Sequence, residues 1–216
     1  MSCGRVHPTH AGSGISLSAR YNIAIKGDNL ATSAGFIIGD PPPHAPPYCP
    51  LGADVNRAVI DEATVASSGL LEILNGTLEL RSGFLAAEQV FIGNIYEGAR
   101  LQFDGGTLST FAISSQYSPN VVVGDGLHSA YLRLNSGILD VLNGVTIREH
   151  ARLEGLRLSK YSLTNAGVIS PGLEQPGSMQ VDGDLHQLPP GIVRSTSPVE
   201  HAAGNTILCW CTAQRI

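Results

Sequence analysis

The chain has 216 residues with a formal charge of −5, enough for one substantial core and no sign of two large domains. Charged residues make up only 14 %, against 25 glycines and 13 prolines. That balance suits short strands joined by tight turns, and the missing basic stripe argues against a nucleic-acid partner. No run of about 18 apolar residues is present, so no membrane-spanning helix is expected.

Residues 1–20 mix His, Gly, Ser and Pro without periodicity and read as a disordered leader. They contain no apolar h-region of a secretory signal. Residues 21–25 alternate as a strand (Tyr21, Ile23, Ile25), and Gly27-Asp-Asn turns the chain. Gly35-Phe-Ile-Ile38-Gly39 introduces an element that returns as Val90-Phe-Ile92-Gly93 and Val121-Val-Val123-Gly124. Residues 40–56 carry a run of prolines, which lack the N–H a strand ladder needs, and read as an excursion with polyproline II character. Within 55–66, a short strand over 58–60 is preferred to a helix.

Residues 71–139 hold the strongest pattern. Leu71-Glu-Ile73-Leu-Asn-Gly76-Thr-Leu78 recurs as Leu101-Gln-Phe103-Asp-Gly-Gly106-Thr-Leu108 and as Leu132-Arg-Leu134-Asn-Ser-Gly137-Ile-Leu139. The glycines stand 30 and 31 residues apart, and the earlier element precedes the last two of them by a constant 13. A hairpin sandwich has no reason to keep such a register; a solenoid does. Three strands and three turns per unit would close one coil of a parallel β-helix. Ile73, Phe103 and Leu134 would then share one interior column, and Leu78, Leu108 and Leu139 another. Past Val141 the register loosens: Gly167 follows Gly137 by 30, but Ser162 and Thr164 occupy the two upstream core positions. From residue 188 the pattern ends, and 207–216 reads as an out-of-frame ending or a disordered tail. The resulting division is a leader over 1–20, a repeat domain over 21–187 and an irregular tail over 188–216.

Asn165-Ala-Gly167-Val-Ile169-Ser-Pro171-Gly172 through Gly177-Ser-Met-Gln-Val181-Asp-Gly183-Asp184-Leu185 resembles the Gly-x-Ile-x-Pro-Gly…Val-x-Gly-Asp-Leu pattern near the end of autotransporter-type passenger repeats. The units before it are similar to the strand repeats of the same bacterial proteins, so the resemblance spans about residues 30–187. It implies an all-β fold, a right-handed parallel β-helix (solenoid) with irregular termini, and an extracellular or cell-surface location. The implied partners are surface glycans or host and cell-surface proteins. Such chains are normally exported, so the start reads as a fragment, a misplaced beginning or a protein leaving by another route.

Parallel β-helices also house polysaccharide lyases and hydrolases, which need two carboxyls about 5–10 Å apart or a base beside Arg or Lys. Asp104, Asp125 and Asp140 are the candidates, with Arg148 and Glu149 nearby. Asp104 beside Gly105-Gly106, and Asp125 between Gly124 and Gly126, are better explained as turn residues. Arg100, Arg133 and Arg152 flank core positions and should point outward as solvated surface. Gly124-Asp-Gly126 is a turn, since Ser129 stands where a dinucleotide loop needs glycine. Asn75-Gly-Thr77 is likewise a turn before it is a glycosylation site. Cys3, His7 and His10 have zinc-ligand types but lie in the leader; Cys209-Trp-Cys211 is too close for an easy bridge, and Cys49 has no evident partner. No catalytic, cofactor-binding or metal residue is assigned. The expectation is a non-enzymatic structural or adhesive segment, with a carbohydrate-active or sugar-binding β-helix as the alternative.

Overall fold

The computed structural model describes residues 14–17, 22–27, 29–32, 35–38, 57–74, 76–93, 98–116, 120–173, 177–194, 199–201 and 207–210. Among them there is no helix; the chain is a stack of parallel strands wound as a β-helix. The Pro-rich excursion 40–56, the Cys3–His7–His10 group, Cys49, Asn75 and Cys211 lie outside these residues.

Three sides make a coil. β1 (Gly14–Leu17) precedes a coil of β2 (Asn22–Lys26), β3 (Asn29–Thr32) and β4 (Gly35–Ile38). The next are β5 (Arg57–Asp61), β6 (Ala63–Ser67) and β7 (Leu70–Ile73), then β8 (Gly76–Leu80), β9 (Gly83–Ala86) and β10 (Gln89–Ile92). They continue as β11 (Ala99–Phe103), β12 (Gly106–Ser109) and β13 (Ala112–Ser115). After β14 (Val121–Val123), β15 (Ala130–Val141) covers two sides in one bent strand. β16 (Val145–Ile147) and the two-sided β17 (Ala151–Ser159) repeat that plan. β18 (Leu163–Asn165), β19 (Val168–Ser170) and β20 (Ser178–Val181) follow, then β21 (Leu185–Gln187) and β22 (Ile192–Val193). β23 (Val199–His201) and β24 (Ile207–Trp210) pair antiparallel, and β24 also lies antiparallel on β20. Thus Gly14–Leu17, in the stretch read as a leader, pairs with β4, and paired strands continue past residue 188.

The first face is an 8-stranded parallel sheet, β2-β5-β8-β11-β14-β16-β18-β21. The second stacks β3, β6, β9, β12, the first halves of β15 and β17, β19 and β22. The third stacks β1, β4, β7, β10, β13, the second halves of β15 and β17, and β20. Because β15 and β17 run through the corner between them, the second and third faces merge into one sheet, which β24 on β20 and β23 beside it extend to 16 strands.

Strand alternation points one set of side chains inward on every coil. The first face contributes Ile60, Leu80, Phe103, Val123 and Ile147 in direct register, and the second Val65, Leu85, Leu108, Leu132, Leu153 and Ile169. The third contributes Leu71, Val90, Ile113 and Leu139. All are essentially sealed from solvent, and each such side chain contributes about 1.5–3 kcal/mol by leaving water.

The repeat unit and the coil are not the same thing. Ile73, Phe103 and Leu134 are all buried, as are Leu78, Leu108 and Leu139. However, Ile73 belongs to the third face, Phe103 to the first and Leu134 to the end of the second. Leu78, Leu108 and Leu139 are distributed over first, second and third in the same way. The expected single columns are therefore wrong. From Gly76 to Gly106 the chain makes four strands, β8 to β11, and from Gly106 to Gly137 again four sides. A coil needs only three, so the motif advances one corner at each recurrence. Register steps confirm the shorter coil: beyond residue 57 they run from 16 residues (Leu153 to Ile169) to 26 (Ile113 to Leu139). Across the excursion they are 35 on every face (Ile23 to Ala58, Leu30 to Val65, Phe36 to Leu71).

A second shift occurs at β18. Leu163 and Asn165, not Ser162 and Thr164, take the inward positions, because the corner before Gly167 is one residue shorter than at Gly76, Gly106 and Gly137. The inward Asn165 is satisfied within the stack. Its Nδ2 donates to Gln187 Oε1 at 3.1 Å and to the Ile192 carbonyl at 3.3 Å, and its Oδ1 accepts from Gly167 N at 3.1 Å.

Candidate functional site

In a β-helix, chemistry must sit on what the core does not use: outward side chains and corners. The corner between the first and second faces gathers Asp104, Asp125, Arg148 and Glu149. Asp104 follows β11 and Asp125 follows β14, one coil apart, with Asp125 N donating to the Asp104 carbonyl at 3.3 Å. Arg148 follows β16, and its Nη1 reaches the Asp125 carbonyl at 3.4 Å; the exposed Glu149 is in the same turn. Asp140 is elsewhere, on the third face, in an ion pair with Lys160 on the next coil.

The two aspartates at this corner bond within their own chain segments. Asp104 Oδ2 accepts from Gln102 Nε2 at 2.7 Å. Asp125 Oδ1 accepts the backbone N–H groups of Leu127 (2.7 Å) and His128 (2.8 Å), while His128 Nδ1 lies 2.6 Å from Oδ2. Those bonds, led by the His128 N–H, hold the Asp125 carboxyl far below the usual carboxylate range. Asp125 thus caps its turn as expected, whereas Asp104 lies in the corner with its carboxylate on the Gln102 side chain of the strand before it.

A pH dependence follows. With the folded value lowered, the stabilisation is complete above the ordinary aspartate value of about 3.9 and is lost as pH falls through the lowered one. Asp125→Asn keeps an oxygen for the two N–H groups but does not titrate. The Tm gap between wild type and Asp125→Asn should therefore shrink on acidification below about pH 4. A gap that stays constant down to the acid limit of folding would show that Asp125 is not the titrating group.

Arg100, Arg133 and Arg152 do point outward. Arg100 lines a shallow depression of about 330 Å³ on the first face with Thr77, Gln102, Asn120 and Val122. Arg133 and Arg152 converge on a residue that the sequence did not single out, Glu154. Arg133 Nε donates to Oε2 at 3.1 Å. Arg152 Nε lies 2.6 Å from Oε1, an ion pair whose angle falls outside hydrogen-bonding geometry. A second clamp of the same kind binds Glu79 between Arg57, on the preceding coil, and Arg81, whose Nε is 2.6 Å from Oε1. Both glutamates are buried although alternation places them on the outer side of their strands. The local hint is an arginine two residues away, Glu79-x-Arg81 and Arg152-x-Glu154; the second arginine comes from the coil below and requires the register.

Among the described residues no three His, Cys, Asp or Glu side chains gather as a metal site, and no helix is long and apolar enough to cross a membrane. No family model, curated protein or solved structure matches the chain.

Proposed function

We infer that this β-helical segment serves as a non-enzymatic spacer and adhesive surface of a bacterial cell-surface or secreted protein. The observation that carries this reading is where the charges go. Lys26–Asp61, Arg57–Glu79, Arg133–Glu154 and Lys160–Asp140 each tie one coil to the next along the axis, while Asp125 closes a turn and Asp104 bonds Gln102. Carboxylates used in this way fasten a rod. The likeness of residues 165–185 to autotransporter-type passenger repeats supports an extracellular setting.

The carbohydrate-active alternative draws on Tyr131, which stands beside Arg133, Arg152 and Glu154 on adjacent coils. One experiment separates the two readings. The purified chain is incubated with a panel of neutral and acidic polysaccharides, and new reducing ends and unsaturated uronate absorbance are followed. In parallel, beads coated with it are scored for attachment to cells. Attachment without cleavage is expected; cleavage above the blank would replace the spacer reading by a catalytic one.

A further inference from the structure

The outward positions of the second face line up across coils. Register places Phe84, Thr107, Tyr131 and Arg152 in one column on four successive coils, and Ala86, Ser109, Arg133 and Glu154 in the column beside it. Phe84 and Tyr131 are each 36 % exposed, two coils apart, which at about 4.8 Å per coil sets the rings roughly 10 Å from one another. The small Ala86 and Ser109 leave the flank of this stripe low. Charge on the second-face parts of these strands is confined to one end, where two arginines share a single glutamate, leaving one net positive charge on a chain of −5. Each arginine uses Nε on Glu154, which leaves the Nη groups, the fork that matches a carboxylate or sulfate. Half of the Arg133 side chain is exposed. Of the acids at the corners that bound the stripe, Glu88 follows β9, Asp104 precedes β12, Asp125 precedes β15, and the exposed Glu149 precedes β17 beside Arg148.

We propose that this stripe binds an extended anionic polysaccharide lying along the solenoid axis. Its sugar rings stack on Phe84 and Tyr131, and an acidic substituent is held by Arg133 and Arg152. Three features select that occupant. The coil spacing is close to one sugar residue per coil in an extended glycan. Aromatic faces offer the apolar, partly wet surface that the C–H side of a sugar ring covers. The arginine pair outnumbers the one acid it holds, and Arg148 offsets Glu149 at the adjoining corner, so charge complementarity favours an anion. The proposal rests on the adhesive reading and names its ligand class.

The test is calorimetric titration of the full chain with alginate and heparin oligosaccharides, with cellohexaose as the neutral control. Three variants are compared: Arg133→Gln, Tyr131→Ser combined with Arg133→Gln, and Leu127→Ser. Leu127, 80 % exposed in the loop after Asp125, is the apolar control outside the two columns of the stripe. Thermal melts confirm that each variant is folded. The expected result is binding to at least one anionic oligosaccharide, weakened about threefold or more by Arg133→Gln and about tenfold or more by the double variant. Leu127→Ser should bind as wild type, and alginate against heparin assigns the acidic group as carboxylate or sulfate. Equal binding of cellohexaose, absence of binding, or a folded double variant that binds as wild type overturns the proposal. Attachment to cells with no binding to these glycans rejects the ligand class and leaves the adhesive reading standing. Cleavage of a bound oligosaccharide rejects the non-enzymatic reading and leaves the site standing.

Discussion

Gly137→Ala should destabilise the solenoid by about 3–5 kcal/mol, seen as a fall in Tm of roughly 10 °C or more. A Cβ at this position would lie 1.8 Å from the Phe111 carbonyl oxygen and 2.5 Å from that of Leu134. Neither atom can swing aside, because both are backbone. The Phe111 carbonyl also accepts the Ile138 N–H at 3.0 Å, so retreat would open the bond that carries β15 round its corner. Gly126 supplies the contrast. Its φ is +88°, but nothing lies within 4 Å of a Cβ there, so alanine costs backbone strain alone, about 1–2 kcal/mol. Denaturant melts of the two variants separate the effects. If Gly137→Ala is no worse than Gly126→Ala, the close approach of the two coils at this corner is not real.

The second large effect concerns the Glu79 clamp. Removing both arginines, Arg57→Ala with Arg81→Ala, should cost about 2–4 kcal/mol, because it strands a carboxylate that is only 3 % exposed. The figure sits toward the low side for a stranded buried charge. Arg57 and Arg81 are 37 % and 47 % exposed, and their truncation lets some water reach the acid. Adding Glu79→Leu to the double variant removes the orphaned charge and should recover most of the loss, as replacement of buried ion pairs by apolar residues often does. A double variant within about 0.5 kcal/mol of wild type, measured by urea unfolding, would reduce the clamp to a surface ornament.

The two clamps show where the sequence stops being readable. Period-two alternation, together with glycines at constant offsets, was enough for the parallel β-helix. Turn chemistry was enough for Asp125, and the positive φ angles of Gly76, Gly106 and Asn135 fall where turn residues were expected. The face on which a residue lies was not readable, because the coil step varies by ten residues even beyond residue 57 and is set by which inward side chains stack. Glu79 therefore reads as a solvated strand residue, and Glu154 reads the same way. Their burial depends on arginines from a neighbouring coil, and those arginines become neighbours only once the register is known. The same limit hides the stripe: Phe84 and Tyr131 are 47 positions apart in the chain but two coils apart in space.

The mismatch between a four-strand repeat and a three-sided coil acts like a vernier. Each recurrence carries the Leu-x-apolar…Gly corner one face further round the axis, and only after three repeats and four coils would it return to where it began. Inserting or deleting one such unit would leave the inward and outward alternation and the stack intact, but it would turn everything beyond the junction by a third of a revolution. Growth by whole units would thus lengthen the rod and re-aim its distal surface in the same step.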